Sequence, residues 1–251
     1  MYRGPVLMRL VVPNVPIAGE TEIVALWEIK REAGWHTYWE HPGDVGVAPS
    51  LIWELPEGFV GSALSFPPPQ RVDMASTGAY GHQGETLFLS TIKTPKLRND
   101  DEIKLKAKVS WLACSHICQP DQGELVLTFT VGERVPPTPL WEEKLRNFRH
   151  SQPTALPDGS ISQVERVGEF LKLTIHNLGE SQNEEFDFFA ENRIIRSNEP
   201  PRVRKIQSGV EMLMQASPWK TQGISIFSGL LKITSSQGSS RYHRVEVPLE
   251  K

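Results

Sequence analysis

The run from Ile103 to Trp111 alternates without a break between apolar and polar side chains. Ile103, Leu105, Ala107, Val109 and Trp111 interleave with Lys104, Lys106, Lys108 and Ser110. Successive residues of a strand face opposite ways, so this period of two builds one buried and one wet face. A helix would scatter the same residues around its axis. The pattern recurs in Ile23, Ala25, Trp27 and Ile29, and in Leu125, Leu127, Phe129 and Val131. A chain written this way is committed to antiparallel sheets.

The 20 Pro and 19 Gly are spread along the chain and punctuate these runs at short intervals. Many short strands with such turns predict a β-sandwich. A second strand-rich region is expected after about Ser160, with strands at Phe170–His176, Val210–Ala216, Leu230–Thr234 and Tyr242–Val247. Asn198-Glu199-Pro200-Pro201 and Gln237-Gly238-Ser239-Ser240 read as loops. The best helical segment is Pro139 to Arg149, with Trp141, Leu145 and Phe148 spaced by four and three. Pro136-Pro137 and Gln152-Pro153-Thr154 flank it. The expected organisation is a first all-β domain over 1–137, a linker with a short helix over 138–157, and a second, smaller β-sandwich-like domain over 158–251. Domains of these sizes each bury a core.

With 27 basic and 30 acidic residues, the net charge is -3. A nucleic-acid partner is therefore not expected, since such proteins carry a basic excess. No apolar run approaches the roughly 18 residues of a membrane helix. The opening MYRGPVLMRL contains no secretory apolar stretch. The chain is then either cytosolic or a mature segment restarted at an added Met.

Only two cysteines occur, in Cys114-Ser115-His116-Ile117-Cys118. A bridge over so short a loop constrains the unfolded chain little, so reversible chemistry is a better reason for pairing than stapling. On a continuing strand, residues i and i+4 are about 13 Å apart. A disulfide needs Cα atoms within about 7 Å. The chain must therefore turn between the cysteines, and Gly123–Val131 can return antiparallel to Ile103–Trp111. That places the pair at the tip of a hairpin, within reach of a partner. Pro120 would stop any helix continuing past Cys118. Exchange runs through a mixed disulfide, which one cysteine forms and the other resolves. His116, between them, would favour a thiolate if protonated. Three readings stay open. The pair is redox-active, or both cysteines are inert small hydrophobes in a scaffold, or they hold Cu(I) with His116 or Met74. A zinc site would need about four ligands, and no second CxxC is present. Neither a resident metal nor an organic cofactor is expected.

Other residues have plainer readings. Trp35, Tyr38 and Trp39 suit a core better than a docking surface. His36 suits a structural hydrogen bond. Asp44, between Gly43 and Gly46, suits a turn, with a role near the cysteines as the alternative. The row Lys104, Lys106 and Lys108 suits a solvated face, and on an edge strand lysine blocks unwanted pairing.

Several linked motifs resemble one family. Gly34-Trp35-His36-Thr37-Tyr38-Trp39 with Pro42-Gly43-Asp44-Val45-Gly46 is similar to a signature of the N-terminal periplasmic region of DsbD/ScsB-type thiol–disulfide interchange proteins. So are Pro67-Pro68-Pro69-Gln70-Arg71, Tyr80-Gly81-His82-Gln83-Gly84-Glu85, and the segment Trp111 to Pro120 with its two cysteines. Phe188-Phe189 and Asn198-Glu199-Pro200-Pro201 resemble it more loosely. The resemblance covers about residues 20–135 well.

It implies an immunoglobulin-like β-sandwich carrying a redox hairpin, in a soluble periplasmic domain of an inner-membrane protein. Such a domain is a protein-disulfide reductase component. It takes electrons from a membrane-embedded redox domain, expected in the same full-length chain, and passes them to thioredoxin-fold periplasmic proteins. Cys114 and Cys118 would carry the chemistry, with Cys118 favoured as the residue that joins partners. A cap over the pair would fall on Tyr80, Gly81 and His82; His82 stands where the family often has Tyr. The three residues between the cysteines look like the ScsB branch. The second region has no cysteine. It is expected to position the first or to present a docking surface, and removing about residues 150–251 is expected to spare the cysteine chemistry.

Overall fold

The computed structural model describes residues 1–74, 77–132, 139–178, 183–218 and 223–249. The Pro136-Pro137 signal and the side chain of Met74 lie outside the described residues. The first strands are β1 (Tyr2–Arg3), β2 (Val6–Val11), β3 (Glu22–Arg31), β4 (His36–Tyr38), β5 (Ser50–Glu54) and β6 (Val60–Gly61). Next come β7 (Gln70–Met74), β8 (Thr77–Gln83), β9 (Glu85–Lys93), β10 (Glu102–Cys114) and β11 (Cys118–Thr130). After α1 (Pro139–Ser151) follow β12 (Thr154–Ala155), β13 (Ile161–Val167), β14 (Phe170–His176) and β15 (Glu185–Ala190). The last are β16 (Arg202–Ile206), β17 (Gly209–Gln215), β18 (Ile226–Thr234) and β19 (Ser240–Pro248). The chain is nearly all-β, as the alternation requires.

Two compact units form, and they do not follow chain order. The first holds Met1–Glu40, Val47–Pro67 and His82–His150; the second holds His41–Gly46, Pro68–Gly81 and Ser151–Lys251. Sequence order alone assigns the two short segments to the amino-terminal domain. Their contacts instead lie with the carboxy-terminal sandwich.

In the first unit, one sheet runs β1-β2-β3-β9-β6. Facing it, β10 pairs along one side with β11 and along the other with β5 and, at Cys114, with His36 of β4. Ile23, Trp27, Ile29 and Phe88 from the first sheet share one core with Leu105, Val109, Trp111 and Leu125 from the second. This is an immunoglobulin-like sandwich. Gly61 lets the indole of Trp53 close over it; a Cβ there would sit 2.2 Å from the ring.

The lysine row is not on an edge strand, because β11 lies outside β10. Lys106 pairs with Glu54 at 3.0 Å and Glu124 at 2.7 Å, and Lys108 with Glu54 at 2.5 Å. Helix α1 is docked rather than free. Pro139 suits its first turn, and Leu145 and Phe148 are buried. Lys144 reaches Glu28 at 2.8 Å, and Arg9 holds the same carboxylate from the other side. Glu28 is 1% exposed, so these two cations are what makes its burial tolerable.

In the second unit, the sheets β12-β19-β18-β15 and β13-β14-β17-β16 enclose a core around Phe188 and Phe227, whose rings stack at 5.1 Å. Three of the four expected strands lie within strands of this unit, β18 and β19 extending beyond the predicted limits, and the fourth, Val210–Ala216, is β17 shifted by one residue. The segments His41–Gly46 and Pro68–Gly81 are tied in by polar contacts. Arg71 grips Asp187 at 2.7 and 3.2 Å and donates to the carbonyls of Ser197 and Phe188. The Asp44 carboxylate accepts from the backbone N–H of Ser197 at 2.8 Å. Gly78 is required there, since a Cβ would meet the Asn198 Cα at 2.2 Å.

Candidate active site at the hairpin tip

β10 and β11 pair in register along their whole length, from Glu102 opposite Thr130 to Cys114 opposite Cys118. The turn is only Ser115, His116 and Ile117, closed by Ser115 N–H donating to the Ile117 carbonyl at 2.9 Å. Cys114 and Cys118 are joined by a disulfide with Cα atoms 4.1 Å apart. That separation belongs to the non-hydrogen-bonded type of cross-strand pair, where side chains approach most closely. The type alternates along a ladder, so Leu112 and Pro120, two residues back, form another such pair. The nitrogen of Pro120 then points away from β10, on the outer side of the edge strand. There a missing N–H leaves no gap in the ladder. Pro120 is thus part of a strand, not the terminator of a helix.

The two ends of the disulfide differ. Cys114 is fully buried at 0% exposure, whereas Cys118 is exposed. The hydroxyl of Tyr38 donates to Cys114 Sγ at 3.1 Å. Tyr38 is 1% exposed, and burial raises its pKa above the ordinary tyrosine value. The proton therefore stays on the oxygen through neutral pH, and the group is a donor. His36 stacks edge-on against the Tyr38 ring at 5.3 Å. Between them, Thr37 Oγ1 accepts two bonds from the Arg31 guanidinium, at 2.9 and 2.6 Å. Arg31 also bonds Thr86 and the carbonyls of Ile29 and Gly84, and burial pushes its pKa down to about 9. This fork fixes the three-residue strand β4, whose alternate residues His36 and Tyr38 share the other face.

The remaining sequence-predicted residues are distributed as follows. His116 is exposed at the turn between the cysteines. Tyr80 is 1% exposed inside the second unit, its ring 5.2 Å from Phe189 and 5.4 Å from the Arg71 guanidinium. Burial, the largest influence, pushes its pKa up to about 12. Gly81 pairs with Gln70 across the β7–β8 hairpin. His82 belongs to the first unit, with Nε2 3.2 Å from the Pro67 carbonyl and its ring against Phe88. Asp44 is committed to Ser197. The cluster Trp35, Tyr38 and Trp39 joins the packed interior as expected, but Tyr38 also touches a sulfur. Among the described residues, no group of three His, Cys, Asp or Glu converges as a metal would require.

Residues 9–130 match the family described as thiol:disulfide interchange protein DsbD, N-terminal. This stretch is a DsbD-type N-terminal domain. Over the whole chain, the fold is that of the N-terminal periplasmic domain of ScsB from Proteus mirabilis, with a TM-score of 0.64 at 16% identity, covering 99% of this chain and 95% of that one. The C-terminal domain of the Streptococcus pyogenes antigen I/II-family protein AspA aligns at 6% identity over 98% of this chain and 100% of its own. Its TM-score of 0.21 carries no argument. No curated protein matches the sequence. The DsbD-type domain thus carries its cysteine pair on the β10–β11 hairpin. No helix among the described residues is long and apolar enough to cross a membrane.

Proposed function

We propose that the chain is a periplasmic thiol–disulfide exchange module and works as a protein-disulfide reductase component. The observation that carries this reading is the asymmetry of the disulfide, with Cys118 exposed at a hairpin tip and Cys114 buried against a hydroxyl donor. A donor thiolate attacks Cys118 Sγ, the Cys114–Cys118 bond breaks, and a donor–Cys118 bond forms. The electron pair leaves on Cys114 Sγ, where the Tyr38 hydroxyl already points. A second donor thiol then frees Cys118, leaving two reduced cysteines and an oxidised donor. In the forward step the Cys118 thiolate attacks the partner's disulfide, and Cys114 resolves the mixed disulfide.

The donor is proposed to be a membrane-embedded redox domain and the acceptors thioredoxin-fold periplasmic proteins, as the resemblance implies. Gating by Tyr80, Gly81 and His82 belongs to the same proposal. Because Tyr80 is packed against Phe189 and Arg71, gating would require that packing to release. His116 and Asp44 are proposed as modulators of lesser weight.

The test is equilibration in thiol redox buffers with mass-shift alkylation of Cys114 and Cys118. A reversible two-electron couple between about -300 and -120 mV supports the module. A pair that forms no disulfide in any buffer refutes it.

A further inference from the structure

The face of the hairpin that carries the two sulfurs continues down the sheet as a shallow apolar surface. Leu112 and Pro120 lie opposite each other, two residues from Cys114 and Cys118 and on the same face, about 7 Å along the strands. Val47 joins them to line a groove of about 660 Å³. A second groove of about 520 Å³ shares Ser110 and Gln122 with the first and is lined by Ile52 on β5. Val47 is 62% exposed and Ile52 64%. Large apolar side chains this open, gathered along one track that ends at a reactive sulfur, mark a contact surface rather than scattered surface residues.

The lysines beside the track are paired. Lys106 and Lys108 are matched by Glu54 and Glu124 in one ion-pair cluster. The surface therefore offers apolar contact near the sulfur, and its remaining charge, Asp121 at the wall of the first groove, disfavours an acidic chain.

We propose that this face seats the exchange partner, and that its occupant is a polypeptide whose reactive cysteine is flanked by apolar side chains rather than by charged ones. This rests on the exchange reading and adds the chemistry of the partner to it. Selection comes from burying the partner's apolar flanks over Leu112, Pro120, Val47 and Ile52. Binding is then insensitive to salt, unlike an encounter steered by charge.

The experiment uses the reduced full-length chain and three disulfide substrates. These are a peptide disulfide with apolar residues beside the cysteine, one with acidic residues there, and 2-hydroxyethyl disulfide. The expected result is reduction of the apolar peptide about tenfold faster than the acidic one, with little change from low to high salt. Val47→Glu combined with Ile52→Glu lowers the apolar-peptide rate several-fold and leaves 2-hydroxyethyl disulfide unaffected. Equal rates for the two peptides in the unsubstituted chain overturn the proposal, and so does a double variant that keeps the preference. A chain that reduces not even 2-hydroxyethyl disulfide overturns the exchange reading, and this one with it.

Discussion

The hydroxyl of Tyr38 donates to the sulfur of Cys114 at 3.1 Å, across 76 residues of sequence. A donor on a disulfide sulfur becomes a stronger donor when that sulfur is a thiolate, because charge-assisted hydrogen bonds are roughly twice as strong as neutral ones. Tyr38→Phe keeps the ring and deletes only this contact. The reduced state should lose about 1–2 kcal/mol relative to the oxidised one. The reduction potential should then fall by about 20–40 mV, since about 30 mV corresponds to 1.4 kcal/mol for two electrons. A potential unchanged within 5 mV (about 0.2 kcal/mol) would remove Tyr38 from the chemistry.

Cys118 is the accessible end of the pair and Cys114 the buried one. With Cys114→Ala, the remaining thiol should react with a chromogenic disulfide at the rate of an exposed cysteine. With Cys118→Ala, Cys114 should react at least about tenfold more slowly, because a buried sulfur waits for local opening. The two pseudo-first-order rates decide it. Equal rates would mean that the turn opens freely.

Glu28 gives a pH signature. Burial alone would raise its pKa, but the hydrogen bonds from Lys144 and Arg9 outweigh that and hold it below the ordinary glutamate value. A carboxylate depressed in the folded state contributes stability in full above its unfolded pKa and loses it as pH falls through the folded one. The denaturation midpoint should therefore drop below about pH 4.5. Glu28→Gln should cost about 2 kcal/mol at neutral pH by weakening the charge-assisted bonds from Lys144 and Arg9, while Lys144 keeps Glu85 as a partner. It should also flatten the acid limb, read by urea unfolding across pH.

Removing residues 151–251 takes away Asp187, Phe189 and Ser197, the partners of Arg71, Tyr80 and Asp44. The shortened chain should retain the redox couple of the hairpin, whose disulfide, register and Tyr38 contact all lie in the first unit. Amide exchange in residues 41–46, 68–74 and 77–81 should lose its protection. A lost couple would show that the hairpin depends on the second unit.

Much of this was legible in the sequence, for identifiable reasons. The alternation from Ile103 to Trp111 dictated β10, and the spacing of Cys114 and Cys118 demanded a turn. Both are local properties. Tyr38 looked like one more aromatic of a core cluster. Nothing local distinguishes a tyrosine that touches a sulfur from one that does not. The lysine row read as a solvated face, and its ion pairs were not legible because the partners, Glu54 and Glu124, arrive from two other strands. Arg31 gave no signal at all, since its partners are two threonines and backbone carbonyls rather than a carboxylate.

The second unit is completed by pieces that the ribosome makes far apart. Arg71 meets Asp187 across 116 positions, and Asp44 meets Ser197 across 153. Closing loops of that length precedes any gain from the contacts they bring. A chain emerging from its amino terminus must hold Arg71 without Asp187 and Tyr80 without Phe189 until most of the carboxy-terminal sandwich exists. Completion of this unit should consequently be a late and slow kinetic phase of refolding, separable from the earlier collapse of the hairpin-bearing sandwich. During that interval the apolar ring of Tyr80 is available to the wrong neighbour.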